Sequence, residues 1–204
     1  SVHKAITEAL KDAVITTIID PAISTKKTAD PSVIMTIADA RSGRRYVLDV
    51  DFRKRDPNEL VDDIFTMTSK WHPIAVGVET VAYQQALVTM LENERKRREI
   101  QPDAFRVVEI KTRQNKNLKI AGRLQPMIEA GLIYVPKNAS WLPAFVAQMS
   151  VWPDGEHDDI MDTLSMADDA KIERLVPTFS VQKCVTDPIK IPTNWPRWSA
   201  LAAH

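Results

Sequence analysis

What most constrains this chain is a change of hydrophobic period near residue 56. Before it, apolar residues come in short β-branched or alternating runs. After it, strand-length runs alternate with segments whose apolar residues recur every three to four positions. Strands joined by short turns pair as an antiparallel meander, whereas strand–helix units add strands in parallel and lay helices on the sheet. The expected order is βββαβαβα followed by helices and a tail, an α/β fold on a mixed sheet flanked by helices.

The run Val14-Ile15-Thr16-Thr17-Ile18-Ile19 predicts a strand over 13–19 ending at Asp20-Pro21, after a short leading helix over 5–11. An irregular connection over 21–32 leads to a second strand at 33–38, and Arg41-Ser42-Gly43-Arg44 turns into a third at 45–52. There Tyr46, Leu48, Val50 and Phe52 alternate with Asp49 and Asp51, so the apolar set is assigned to one face and the two acids to solvent. Asp56-Pro57-Asn58-Glu59 offers an N-cap with proline in the first turn, and Leu60, Ile64, Phe65 and Met67 predict a helix to about residue 70. Further strands are expected at 74–78 and 106–110, with a helix from residue 83 between them that ends in Arg95-Lys96-Arg97-Arg98. A helix over 117–129, kinked or divided by Pro126, stops at Gly131 before Ile133-Tyr134-Val135. Others are expected over 141–150 and 158–170, separated by a Pro-Asp-Gly turn at 153–155. Residues 1–173 are read as one domain. Residues 174–204, broken by Pro177, Pro188, Pro192 and Pro196, are read as an extended tail laid against the domain or a partner.

In this order the first and fourth strands lie side by side, which sets Asp20 beside Glu79, the residue after Ile74-Ala75-Val76-Gly77-Val78. The last helix then crosses the sheet so that its first turns, in His157-Asp158-Asp159-Ile160-Met161-Asp162, face the same edge. Asp159 and Asp162 are three apart and share a helical face, while Asp158 points roughly 100° away, so Asp159 is favoured as the direct ligand. Acids at a helix start are ordinarily caps, which accounts for Asp158 but not for acids at two strand ends as well. Carboxylates gathered on a sheet edge cost desolvation energy unless a cation offsets it. Oxygen-only donors favour Mg²⁺ or Mn²⁺, and two such ions suit in-line phosphodiester hydrolysis. Asp30 is an auxiliary candidate from a loop running back over the edge. His157 is read as a ligand, a general base or a cap, and Asp168 and Asp169, two turns deeper, are assigned to solvent.

Composition narrows the chemistry. The single cysteine, Cys184, excludes an internal disulfide and a thiolate cluster, so a bound metal would sit on oxygen. The net charge is zero, with 27 basic and 27 acidic residues, but the charge is unevenly placed. From Lys111 to Ile128 there is no acid, while Lys111, Arg113, Lys116, Lys119 and Arg123 form a basic stretch able to track DNA phosphates or, in the plainer reading, a solvated helix face. No apolar run of about eighteen residues and no leader pattern occurs, so a soluble, intracellular protein without a membrane partner is expected. With five glycines and no Gly-x-x-x-x-Gly-Lys-Ser/Thr, Gly-x-Gly-x-x-Gly, His-Glu-x-x-His or Gly-x-Ser-x-Gly, nucleotide cradling and the commoner hydrolase sites are disfavoured.

Asp20-Pro21-Ala22 with Asp30-Pro31, then Val76-Gly77-Val78-Glu79, then His157-Asp158-Asp159-Ile160-Met161-Asp162-Thr163-Leu164 resemble, in order, the three acidic motifs of the C-terminal nuclease domain of the tailed-bacteriophage terminase large subunit. Lys119-Ile120-Ala121-Gly122-Arg123 through Glu129-Ala130-Gly131-Leu132-Ile133 resemble that family's basic helix and following glycine turn. The resemblance implies an RNase H-like fold and metal-binding acids at Asp20, Glu79 and Asp159, with Asp30, Asp158 and Asp162 as auxiliaries. It also implies Mg²⁺- or Mn²⁺-dependent cutting of concatemeric double-stranded viral DNA in the cytoplasm of an infected bacterial host. A full-length relative would add an N-terminal packaging ATPase and contacts to portal and small terminase subunit. The alternatives are another RNase H-like nuclease, such as a junction resolvase or transposase core, and a noncatalytic DNA-binding or assembly module.

Overall fold

The computed structural model describes residues 13–22, 31–80, 85–111, 122, 124–151 and 159–168. The expected helix over 5–11, the turn at 153–155 and the tail over 174–204 lie outside them. The elements in chain order are β1 (Ala13–Asp20), β2 (Ser32–Ala40), β3 (Arg45–Arg53), α1 (Pro57–Trp71), β4 (Ala75–Glu79), α2 (Gln85–Arg97), β5 (Arg106–Ile110), α3 (Gln125–Glu129), β6 (Ile133–Tyr134), α4 (Leu142–Val151) and α5 (Asp159–Met166). They build one mixed sheet in the order β5-β4-β1-β2-β3-β6. β1, β2 and β3 form the antiparallel meander, while β4 runs parallel to β1 and β5 parallel to β4. β6, which the sequence reading did not assign as a strand, adds two residues parallel to the start of β3. So short a pairing leaves no periodic trace.

Helices cover both faces of the sheet, so the central strands are apolar at nearly every position. Ile19, Ile34, Val76 and Val78 meet Leu60, Val61, Ile64 and Phe65 of α1 and Leu87 and Leu91 of α2. On the other face Ile18, Val33, Met35, Val50 and Ile110 meet Phe145 of α4 and Ile160, Met161 and Leu164 of α5. Each such side chain removed from water contributes roughly 1.5–3 kcal/mol. Helix α1 begins as expected: Asp56 accepts hydrogen bonds from the Asn58 and Glu59 amides, and Glu59 accepts one from the Asp56 amide. This is a reciprocal capping box.

Three expectations are corrected. Tyr46, Leu48, Val50 and Phe52 do not share one face. Thr36 pairs with Asp49 and Ile37 with Val47, so Leu48 is an extra residue in β3. This bulge puts Tyr46 and Leu48 with Ala38 and Tyr134, and Val47 and Val50 in the opposite core. Asp49 and Asp51 are not simply solvated either, because α1 and the turn before it bring cations over them. Asp49 accepts from Lys70 Nζ at 2.6 Å and from Trp71 Nε1 at 3.0 Å, and Asp51 pairs with Arg55 at 2.9 Å. Finally, α5 stops at Met166 rather than residue 170, with Ala167 and Asp168 in a tight turn bonded three residues back. Asp168 is drawn out of solvent by Arg45, at 2.9 Å.

That contact completes a buried triad, since Arg45 also holds Asp39 through Nε at 2.7 Å and Nη2 at 3.2 Å. Burial by itself would lower the Arg45 pKa, but the charges and hydrogen bonds of Asp39 and Asp168 outweigh it and raise the pKa on balance.

At the end of α2, hydrogen bonds from Arg97 and then Arg98 hold the Glu94 carboxylate down to about 2. A depressed carboxylate stabilises the fold above its unfolded pKa, near 4.5, and loses that contribution as pH falls through about 2. Acid titration followed by NMR should therefore show Glu94 titrating near 2, well below the ordinary glutamate range. A midpoint near the ordinary glutamate value would break this assignment.

Candidate functional site

Strand alternation and register set two carboxylates side by side. Asp20 closes β1 and, by alternation, shares the face of Ile18, which packs against α4 and α5. In the parallel ladder Ile18 faces Gly77 and Ile19 faces Val78, so the next step sets Asp20 level with Glu79. Val76 and Val78 point into the α1–α2 core, which turns Glu79 to the same side as Asp20. The strands run one residue further than expected, so both acids are the last residues of their strands. Glu79 is only 9% exposed, and among the described residues its carboxylate has no hydrogen bond or ion pair. A bound cation would give this largely buried carboxylate a partner.

The third acidic segment is carried by α5, which packs on β1 and β2. Its C-terminal end is pinned by the Asp168–Arg45 pair, and Arg45 also binds Asp39, which lies opposite Val14 at the start of β1. That sets the C-terminal end of α5 beside the start of β1, the end of the strand away from Asp20. Asp159 is the first residue of the helix and half-buried; Asp162 is buried, 8% exposed. Hydrogen bonds hold the turn: the Ile160 amide donates to Gln148 Oε1 at 2.8 Å, the Thr163 hydroxyl to the Asp159 carbonyl at 2.7 Å, and the Ser165 hydroxyl to the Asp162 carbonyl at 2.7 Å.

Asp20 and Glu79 thus share the face of the sheet on which α5, the carrier of Asp159 and Asp162, packs, but among the described residues no three His, Cys, Asp or Glu side chains close into a group able to hold a metal ion. Asp30, His157 and Asp158 lie outside the described residues. The donor chemistry of the described candidates fits a hard divalent cation, because Asp20, Glu79, Asp159 and Asp162 are all carboxylates and Glu79 is largely buried. Of the basic stretch, Lys111 is described and exposed. Ile110 pairs with Glu79, so Lys111 follows directly at the same end of the sheet. Arg113, Lys116, Lys119 and Arg123 lie outside the described residues. α3 begins at Gln125, with Pro126 in its first turn, where a missing amide costs nothing.

A groove of about 530 Å³ opens elsewhere, along β3 between α1 and α4, lined by residues that include Asp49, Asp51, Asp63, Lys70 and Trp141. It lies three strands from Glu79, and Asp51 and Asp63 are already paired with Arg55. It is separate from the carboxylate pair. Two contributors to the site escaped the sequence reading, Gln148 and Arg45. The only available signal for Gln148 was an amide on an otherwise mostly apolar helix.

Residues 17–170 match the terminase RNaseH-like domain. No curated protein matches the sequence. Among solved structures, the human cytomegalovirus terminase nuclease domain, Mn-soaked and inhibitor-bound, superposes with a TM-score of 0.53 at 16% identity, covering 79% of this chain and 85% of that one. The yeast mitochondrial Holliday junction resolvase Ydc2 gives 0.50 at 11% identity, covering 81% of each chain. At such identities the likeness establishes the fold: a mixed six-stranded sheet with helices, of RNase H-like type.

Proposed function

Because this chain belongs to the terminase RNaseH-like domain family, we propose that it is a divalent-metal-dependent endonuclease that cuts concatemeric double-stranded viral DNA during genome packaging. The observation that carries this reading is the register-matched pair Asp20 and Glu79 at adjacent strand ends, on the face that α5 covers. Asp20, Glu79 and Asp159 would hold Mg²⁺ or Mn²⁺, two ions in the fullest form, with Asp30, Asp158 and Asp162 as auxiliaries. Bound there, the cations supply charge neutralisation for in-line attack on a phosphodiester. The protein's own part is to keep these carboxylates fixed on rigid strand ends and to hold the duplex against Lys111 and the basic stretch after it. Phosphate contacts position DNA without reading its bases, so cutting should show low sequence preference.

The deciding experiment is plasmid cleavage in Mn²⁺ or Mg²⁺ against an EDTA control. Nicking and degradation of unrelated supercoiled and linear duplexes, stopped by chelation, is the expected result. Duplex binding without cutting in either metal would leave the noncatalytic module as the better account. The sequence has no phosphate-binding loop, so the same preparation should not hydrolyse ATP. The packaging ATPase, portal and small terminase contacts, and a site of action in the infected host's cytoplasm, belong to this proposal through the family. The likeness to a Holliday junction resolvase favours one rival substrate. Preferential cutting of four-way junctions over linear duplex would select it.

The basic stretch has its own test. Removing charge at Lys119 and Arg123 should weaken DNA binding and reduce the slope of log affinity against log salt by roughly one per lost phosphate contact. An unchanged slope would return the stretch to a solvated face.

A further inference from the structure

Gln148 is the one polar side chain that α4 buries, 8% exposed beside Phe145 three residues earlier on the same helical face. A buried amide on a helix that otherwise packs apolar surface is costly unless its polar atoms are used. Here the Oε1 accepts the Ile160 backbone N–H at 2.8 Å, a buried contact between residues twelve apart in sequence. That N–H is among the first amides of α5, groups that have no partner within their own helix. The usual acceptor for such an amide is a side chain at the helix start itself, often an acid. In this chain a residue from another helix accepts the hydrogen bond. The bond also fixes the start of α5, with Asp159 and Asp162, against α4, whose Phe145 is anchored in the core shared with Ile18 and Ile110.

Building on the metal reading above, we infer that Gln148 is a positioning residue for the acidic first turn of α5: it sets where Asp159 stands relative to Asp20 and Glu79, and through that the affinity of the site for divalent cation. It touches neither substrate nor metal. Supporting hydrogen bonds of this kind change metal affinity about 10–100-fold when removed.

The test compares Gln148→Leu, which keeps the size and loses the acceptor, with Gln148→Glu, which keeps an acceptor at the same reach, in the full chain. Mn²⁺ is titrated by calorimetry without DNA, and separately as the concentration giving half-maximal plasmid cleavage. In Q148L both midpoints should rise about 10–100-fold, while the cleavage rate at saturating Mn²⁺ falls far less. In Q148E both should return to within a few-fold of wild type. A purely structural amide would lower the melting temperature of Q148L and leave the Mn²⁺ midpoints unmoved, which overturns the inference. Failure of Q148E to restore the midpoints overturns it as well, since an acceptor is then not what the site needs. Wild type itself decides the underlying reading: if it neither binds Mn²⁺ nor cuts, the metal site falls and this role with it. If wild type does both and Q148L matches it, only the role of Gln148 falls.

Discussion

Glu79→Gln will abolish DNA cleavage and leave the protein as stable as before, or more so. Glu79 is buried at the end of β4 with no hydrogen bond or ion pair among the described residues, so its charge contributes nothing favourable to folding in the absence of metal. Beside Asp20 it contributes repulsion. The amide keeps the shape and removes that charge. Catalytic loss should be at least about 10²–10³-fold, the scale seen when one preorganised electrostatic group is deleted from an active site. Asp20→Asn and Asp159→Asn should behave alike in activity. Two measurements check this: plasmid cleavage at saturating Mn²⁺, and thermal unfolding without metal. A cleavage rate within a few-fold of wild type in any one variant removes that residue from the essential set. A large drop in melting temperature for E79Q would mean that its carboxylate has a structural duty this structure does not show.

Arg45→Met will cost about 3–5 kcal/mol, the usual penalty for breaking a buried ion pair by removing one partner. Its guanidinium side chain is 6% exposed, and its partners Asp39 and Asp168 are 19% and 11% exposed. Without it, two half-desolvated acids face each other across β2, β3 and the end of α5. For a protein of this size each kcal/mol corresponds to roughly 2–4 °C, so the melting temperature should fall by roughly 6–20 °C. Adding Asp39→Asn and Asp168→Asn to R45M should recover much of the loss, because uncompensated charge and not lost packing is the cause. A triple variant no more stable than R45M would refute that account. Because the Asp168 contact directs α5 along the sheet, R45M should also raise the Mn²⁺ requirement for cleavage.

Residues separated by a few positions were readable in advance. The β-branched run before Asp20 and the short apolar run before Glu79 announced two buried strands. The order of strands and helices then implied that β1 and β4 would be parallel neighbours, as they are. The capping box at Asp56 and Glu59 was equally local. Alternation in β3 misled, because a bulge at Leu48 depends on how the partner strand is paired and leaves no mark on the strand that carries it. Asp49, Asp51 and Asp168 looked solvated for a related reason. Nothing near them in sequence revealed that Lys70 and Trp71 would be folded over Asp49 and Arg45 over Asp168, and only Arg55, four residues after Asp51, lay close in the chain.

The sequence by itself determined the class of fold and the two adjacent strand ends that carry Asp20 and Glu79. Each of these follows from side-chain period and residue type, which are properties of short segments. Only the tertiary structure decided which face Asp20 and Glu79 share, where the end of α5 is pinned and what holds its first turn. Those depend on contacts such as Arg45 with Asp168 and Gln148 with the Ile160 amide, 123 and 12 residues apart. Contacts of that kind form only when the cost of burying a charge or an amide is met by a partner that the folded chain, and no local pattern, brings within reach.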